Sequence, residues 1–311
     1  MFFLHILTYI SSFIFIWIGA GLIVSSTDRF SRKLRLSTFA VSFIILGILT
    51  SSPEFAVGLT AIAESNPEIF VGNLLGGVPV IFLFIIPILA IFGNGINLKH
   101  DLDRNTLLAT LGVILIPFLL VIDKKITNPE GILLILLYIV LIFLIERRHG
   151  IFDRKNTEIL NIKSYSYRDI IRVLVGVGIV FVSSQIIVDK TMYFSSFFNI
   201  SAFYISLIIL SLGTNLPELS LAIRSITLGS KDIAFGDYMG SAAANTLLFG
   251  VFTLLNNGEI LTVNNFLFTF VYITMGLTLF YFFSRSKNNI SRTEGLILLI
   301  VYLTFVIVEL V

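Results

Sequence analysis

Residues 49–58 read LTSSPEFAVG and residues 213–222 read GTNLPELSLA. A shift of 164 residues superimposes them, carrying Thr50 onto Thr214, Pro53 onto Pro217 and Glu54 onto Glu218. The same shift carries Ser37, Phe39 and Ser42 onto Ser201, Phe203 and Ser206, and Gly72 and Gly76 onto Gly236 and Gly240. Each copy sets a proline and a carboxylate inside an otherwise apolar stretch. A carboxylate in hydrocarbon is costly unless compensated, so an intramembrane glutamate is read first as part of an ion or substrate site. Two such sites in register point to a transport scaffold built from internal repeats.

The local chemistry supports that reading. Proline lacks an N–H and blocks the helical bond to the fourth residue before it, which loosens the carbonyls of Leu49 and Gly213. Loosened carbonyls are tolerated at membrane depth where they line a cavity or meet a partner. Glu54 follows Thr50 by four residues and Ser51 by three, so the three share one helix face. Glu218, Thr214 and Asn215 repeat the arrangement. Carboxylates, hydroxyls and carbonyls together form the all-oxygen surroundings that hard cations take, and two facing carboxylates balance one divalent ion. A simple proline kink explains one Pro-Glu pair; two in register make it a poor account.

Composition sets the surroundings. Hydrophobic residues make up 56% of the 311 and charged residues 13%, about half the share usual in soluble domains. With a mean hydropathy of +0.98, the chain is expected to be an integral membrane protein. A net charge of +2 gives no nucleic-acid signal, and the lack of cysteine excludes disulfides and thiolate metal sites. His5, His100 and His149 fall near segment ends and do not suggest a zinc centre. The N-terminal apolar stretch lacks a basic leader and is expected to be a retained span.

At about 20 apolar residues per crossing, ten spans are expected: 3–25, 36–62, 69–92, 106–122, 131–146, 169–188, 199–225, 232–256, 260–284 and 293–311. With the N-terminus outside, 18 of the 21 Lys and Arg residues fall on cytoplasmic connections, and only Lys124, Lys125 and Lys190 do not. The positive-inside rule therefore predicts a multi-pass cell-membrane protein with both termini extracellular. Two five-helix halves follow, 1–146 and 169–311, joined by a cytoplasmic linker at 147–168. Their repeat cores lie at about 36–92 and 199–256. An odd number of spans per half inverts one half relative to the other, and such folds bind substrate near the midplane through broken helices, here the second and seventh.

A second layer comes from FGDYMGSAAANTL (235–247), where Asp237, Ser241 and Asn245 recur every fourth residue on one face. Ser241 and Asn245 are expected to face the ions, whereas Asp237 reads equally as a solvated end charge or as part of an entry path. The first half has Asn73, Gly77 and Ile81 at the equivalent positions. Gly72, Gly76, Gly77, Gly240 and the alanines 242–244 form small-residue surfaces for close helix packing. The pair IGAGLIV (18–24) and VGVGIV (175–180) reads the same way.

GTNLPEL with GDYMGSAAAN resembles the second alpha-repeat of the cation/calcium antiporter superfamily, particularly the sodium/calcium exchangers. LTSSPEF with GNLLGG (72–77) resembles a divergent first alpha-repeat. The resemblance implies alternating access, with calcium between Glu54 and Glu218 and the backbone at Thr50 and Thr214. It also implies sodium ligation by Ser51, Asn215, Ser241 and Asn245. The family's first repeat normally has glycine where Leu49 stands, serine at Gly77 and asparagine at Ile81, so neutral ligands that serve sodium are missing.

The expected function is secondary antiport of calcium against sodium. Proton/calcium exchange through the same two glutamates is the alternative, and Gly77 and Ile81 favour it. Calcium, sodium and, in the alternative, protons are the transported partners. No cofactor, nucleic acid or obligate protein partner is called for beyond the lipid bilayer. An intramembrane hydrolase finds no HExxH or GxSxG motif here, so enzyme chemistry is not expected. A passive channel could use the same ligands and differs in needing no counter-ion.

Overall fold

The computed structural model describes residues 2–33, 43–44, 47–97, 104–149, 167–228, 231–256, 260–261, 266–286 and 289–310. It is helical apart from four two-residue strands. The helices are α1 (Phe2–Lys33), α2 (Gly47–Thr50), α3 (Ser52–Ala63), α4 (Pro67–Pro79), α5 (Ile86–Phe92), α6 (Arg104–Leu120), α7 (Asn128–His149) and α8 (Tyr167–Phe198). They continue with α9 (Ala202–Ile205), α10 (Ser211–Thr214), α11 (Leu216–Leu228), α12 (Lys231–Leu255), α13 (Leu267–Ser286) and α14 (Arg292–Leu310).

Among the described residues, eight helical segments are long and apolar enough to cross a membrane, against ten expected. The expected second span falls partly on residues 34–42 and 45–46, outside the described residues. In the tenth, α14 carries Arg292, Glu294 and Glu309 within its length. Most of the expected linker lies outside the described residues as well.

The spans sort into inner and outer layers. Burial covers 83% of the apolar window in Pro67–Phe92, 78% in Phe235–Leu255 and 72% in Ala202–Ser220, but only 28–39% in Phe2–Ile23, Asn128–Arg147 and Ile170–Phe198. The outer helices turn large apolar side chains outward, Phe3, Leu7 and Trp17 on α1 and Leu174 and Val182 on α8. In a bilayer, lipid tails are as apolar as leucine, so this costs nothing, and small residues and packing hold the helices together.

That packing is close at the repeated glycines. A Cβ on Gly76 would overlap the carbonyl oxygen of Leu207, and one on Gly240 would overlap that of Phe43. Leu207 follows Phe43 by the same 164 residues, so one backbone-to-backbone contact occurs twice. α1 and α8 approach likewise, with a Cβ on Gly19 meeting the Gly176 oxygen at 2.9 Å and one on Gly176 meeting the Gly19 oxygen at 2.7 Å. Gly21 and Gly178, their partners in the sequence pattern, face open space.

The strands obey the same arithmetic. β1 (Ile96–Asn97) pairs antiparallel with β4 (Asn289–Ile290), and β2 (Lys125–Ile126) with β3 (Ile260–Leu261). Shifting Ile96 forward by 164 and Ile290 back by 164 turns the first pairing into Ile260 with Ile126, the second. Among the described residues the backbone departs from this repetition at one long helix. Between α4 and α5 the chain forms a π-helical stretch, Val80–Ile85, where Ile86 N–H bonds to Ile81 O. The Pro87 ring would collide with the Leu83 carbonyl in a regular helix, and the wider turn accommodates it. α12 carries no such stretch.

Candidate cation site

The two Pro-Glu helices each break at a single residue. Ser51 separates α2 from α3, and Asn215 separates α10 from α11. The chain is kinked there without unwinding, since Ser51 N–H still donates to Gly47 O (3.3 Å) and Asn215 N–H to Ser211 O (3.2 Å). The side chains at both breaks reinforce the same two carbonyls. Ser51 Oγ donates to Gly47 O and Asn215 Nδ2 to Ser211 O, each at 2.8 Å. Thr50 Oγ1 and Thr214 Oγ1 lie 3.3 Å from those carbonyls, the longer arm of a shared hydrogen bond. With its proton on Gly47 O, Ser51 presents oxygen lone pairs to its surroundings, and Asn215 presents its Oδ1.

Each break then meets the opposite half. Thr50 Oγ1 donates to Asp237 Oδ1 at 3.2 Å, and Thr214 Oγ1 to Asn73 Oδ1 at 3.0 Å. Asn73 precedes Asp237 by 164 residues, so these two contacts are again one contact repeated. Ser241 Oγ donates to Glu218 Oε1 (2.8 Å) and lies 3.2 Å from Ser51 Oγ. Glu54 lies beside Thr214 and Glu218 beside Thr50.

Every residue expected to ligate an ion is buried: Glu54, Glu218, Thr50, Thr214, Ser51, Asn215, Ser241, Asn245 and Asp237 are each at most 3% exposed. Six of their oxygens have no hydrogen-bond partner: both of Glu54, Glu218 Oε2, Asp237 Oδ2, Asn215 Oδ1 and Asn245 Oδ1. Buried polar atoms are nearly always paired, and removing the partner of a buried charge costs about 3–5 kcal/mol. Unpartnered buried acceptors on both Pro-Glu helices and on α12 are the kind of groups that a cation can satisfy. Among the described residues no three Asp, Glu, His or Cys side chains converge tightly enough to hold a metal by themselves, so hydroxyl and amide oxygens must complete any coordination shell.

Two readings change. Asp237 is fully buried and bonded to Thr50, so the solvated-end-charge reading is set aside. Asn73, not among the expected ligands, is the partner of Thr214; its equivalence to Asp237 was the available signal. At Gly77, a Cβ would come within 2.6 Å of Asn245 Nδ2 and 3.3 Å of Asn215 Nδ2. The two amides fill the space where the family's usual serine would stand. Ile81 is fully buried in the π-helical stretch and brings no oxygen.

The family model described as sodium/calcium exchanger protein matches residues 4–145 and again 169–311. The chain belongs to the sodium/calcium exchanger family. It is a membrane transporter that works by antiport. It is 28% identical over 308 residues to the putative antiporter CaxA of Alkalimonas amylolytica, covering 94% of this chain and 96% of that protein. It is 22% identical to the sodium/calcium exchanger MaX1 of Methanosarcina acetivorans, covering 95% of both. Its fold is similar to that of the sodium-calcium exchanger NCX_Mj, with a TM-score of 0.69 at 21% identity over 98% of each chain.

Proposed function

We propose that the chain exchanges calcium for sodium across the membrane by alternating access, with one calcium ion held between Glu54 and Glu218. The observation that carries this is the set of six unpartnered buried oxygens drawn from both Pro-Glu helices and from α12. Thr50 and Thr214 border the calcium position. Ser51, Asn215, Ser241 and Asn245 supply neutral oxygens to sodium when calcium leaves. Calcium, or sodium in sufficient number, cancels the carboxylate charge, and only a neutralised site crosses between inward- and outward-facing forms at low cost.

The reading includes ten spans in two inverted halves, with the site near the bilayer midplane and both termini extracellular. The repeated glycine contacts, the repeated strand pairings and the two family-model matches support the two-half organisation. Proton/calcium exchange is the second reading, favoured by Gly77 and Ile81, which supply no oxygen to sodium.

Radioactive calcium uptake into proteoliposomes tests the proposal. An outward sodium gradient is expected to drive uptake, and a pH gradient alone to drive little. Uptake driven only by the pH gradient replaces sodium with protons. Calcium flux that needs no counter-ion gradient overturns antiport in this chain.

A further inference from the structure

The repeated threonine contact contains its own control. Thr214 donates a hydrogen bond to an amide, Asn73, and Thr50 donates one to an acid, Asp237, at nearly the same distance. An amide oxygen is therefore sufficient to receive the threonine. Whatever the negative charge of Asp237 does, it is not needed for that hydrogen bond. The charge is expensive where it lies. Asp237 is fully buried, its Oδ2 has no partner, and the charged residues buried among the described ones are Glu54, Glu218 and Asp237, all acidic. Asp237 is also close enough to Glu218 to repel it. A buried carboxylate in this position keeps its charge when a cation lies beside it.

Glu54 and Glu218 already balance one divalent ion. A third carboxylate adds one negative charge, which matches one monovalent cation. The first half shows a complementary deficit, because Gly77 and Ile81 place no oxygen where the second half has Ser241 and Asn245. We infer that Asp237, with the Thr50 side chain against it, is a monovalent-cation ligand that holds sodium beside the glutamate pair. It restores on one side of the site the sodium ligation missing from the other. This rests on the sodium/calcium reading above and adds to it the residue that sets sodium affinity.

The physics of charge gives a discriminating test. A carboxylate that merely adds to the field acts on a divalent ion about twice as strongly as on a monovalent one at the same distance. A carboxylate that holds its own sodium ion matters more to sodium. Calcium binding to purified protein is measured with radioactive calcium, and then displaced with sodium chloride, in wild type and Asp237→Asn. The inference predicts that the half-displacing sodium concentration, corrected for calcium affinity, rises about tenfold or more, which corresponds to about 1.4 kcal/mol. The calcium dissociation constant changes by a smaller factor. Calcium affinity falling as much as sodium affinity, or neither changing, overturns it. Should Asp237→Asn not survive purification, Asp237→Ser carries the same test with the same outcomes. Wild-type protein whose calcium is not displaced by sodium at all rejects the sodium/calcium reading itself. A wild type that responds to sodium, with an unaltered response in the variant, rejects only the role of Asp237.

Discussion

At the residue scale, the site is made by spending donors on the backbone and leaving acceptors over. Ser51 and Asn215 differ in chemistry yet perform the same act, each capping the carbonyl four residues earlier. The Thr50–Asp237 and Thr214–Asn73 contacts differ in charge, which gives a first prediction. In detergent with saturating sodium, Thr50→Val should destabilise the protein by about 1.5–3 kcal/mol and Thr214→Val by about 0.5–1.5 kcal/mol, because hydrogen bonds to charged groups are worth more. Chemical denaturation of both variants measures the difference, and equal losses would place Asp237 in its neutral form. A second prediction concerns Gly77. Gly77→Ala and Gly77→Ser must both push the Asn245 amide aside, but only serine brings an oxygen. Sodium-driven calcium uptake should fall about tenfold in the alanine variant and less in the serine variant. Equal losses would mean that the hydroxyl cannot reach the ions.

At the element scale, helices meet through backbone contacts that tolerate no side chain. Gly76→Ala and Gly240→Ala should each cost about 1–3 kcal/mol through overpacking, while Gly21→Ala and Gly178→Ala, with nothing nearby, should be close to neutral. Thermal unfolding in detergent checks all four, and a neutral Gly240→Ala would refute the backbone contact. The sequence pattern announced the glycine surfaces but could not separate Gly19 from Gly21 or Gly176 from Gly178, because facing direction depends on which neighbour packs against the helix. Both proline breaks were legible in PEF and PEL. The π-helical stretch before Pro87 was not, since a proline inside an apolar span signals a kink without saying how the backbone absorbs it. Asp237 was placed near a span end by counting residues, and counting gives depth along a helix but not what covers it. Asn73 was read only as the position equivalent to Asp237, without a partner. Its role emerges only when its oxygen meets the hydroxyl of Thr214.

At the scale of the whole molecule, one operation, a shift of 164 residues, relates the Pro-Glu breaks, the threonine contacts, the glycine contacts and the paired strands. That repeat was readable from the chain alone, as was the membrane setting. Of the ten expected spans, eight are met among the described residues, and the second falls partly outside them. The two copies differ at matching positions, with Asn73, Gly77 and Ile81 in the first and Asp237, Ser241 and Asn245 in the second.

The central claim is that Glu54 and Glu218 jointly hold one calcium ion, and calorimetric titration of calcium into sodium-free protein tests it directly. The account predicts one calcium per chain, with affinity lost by at least about a hundredfold, or about 2.7 kcal/mol, in both Glu54→Gln and Glu218→Gln. Binding that survives within threefold in either variant would contradict it.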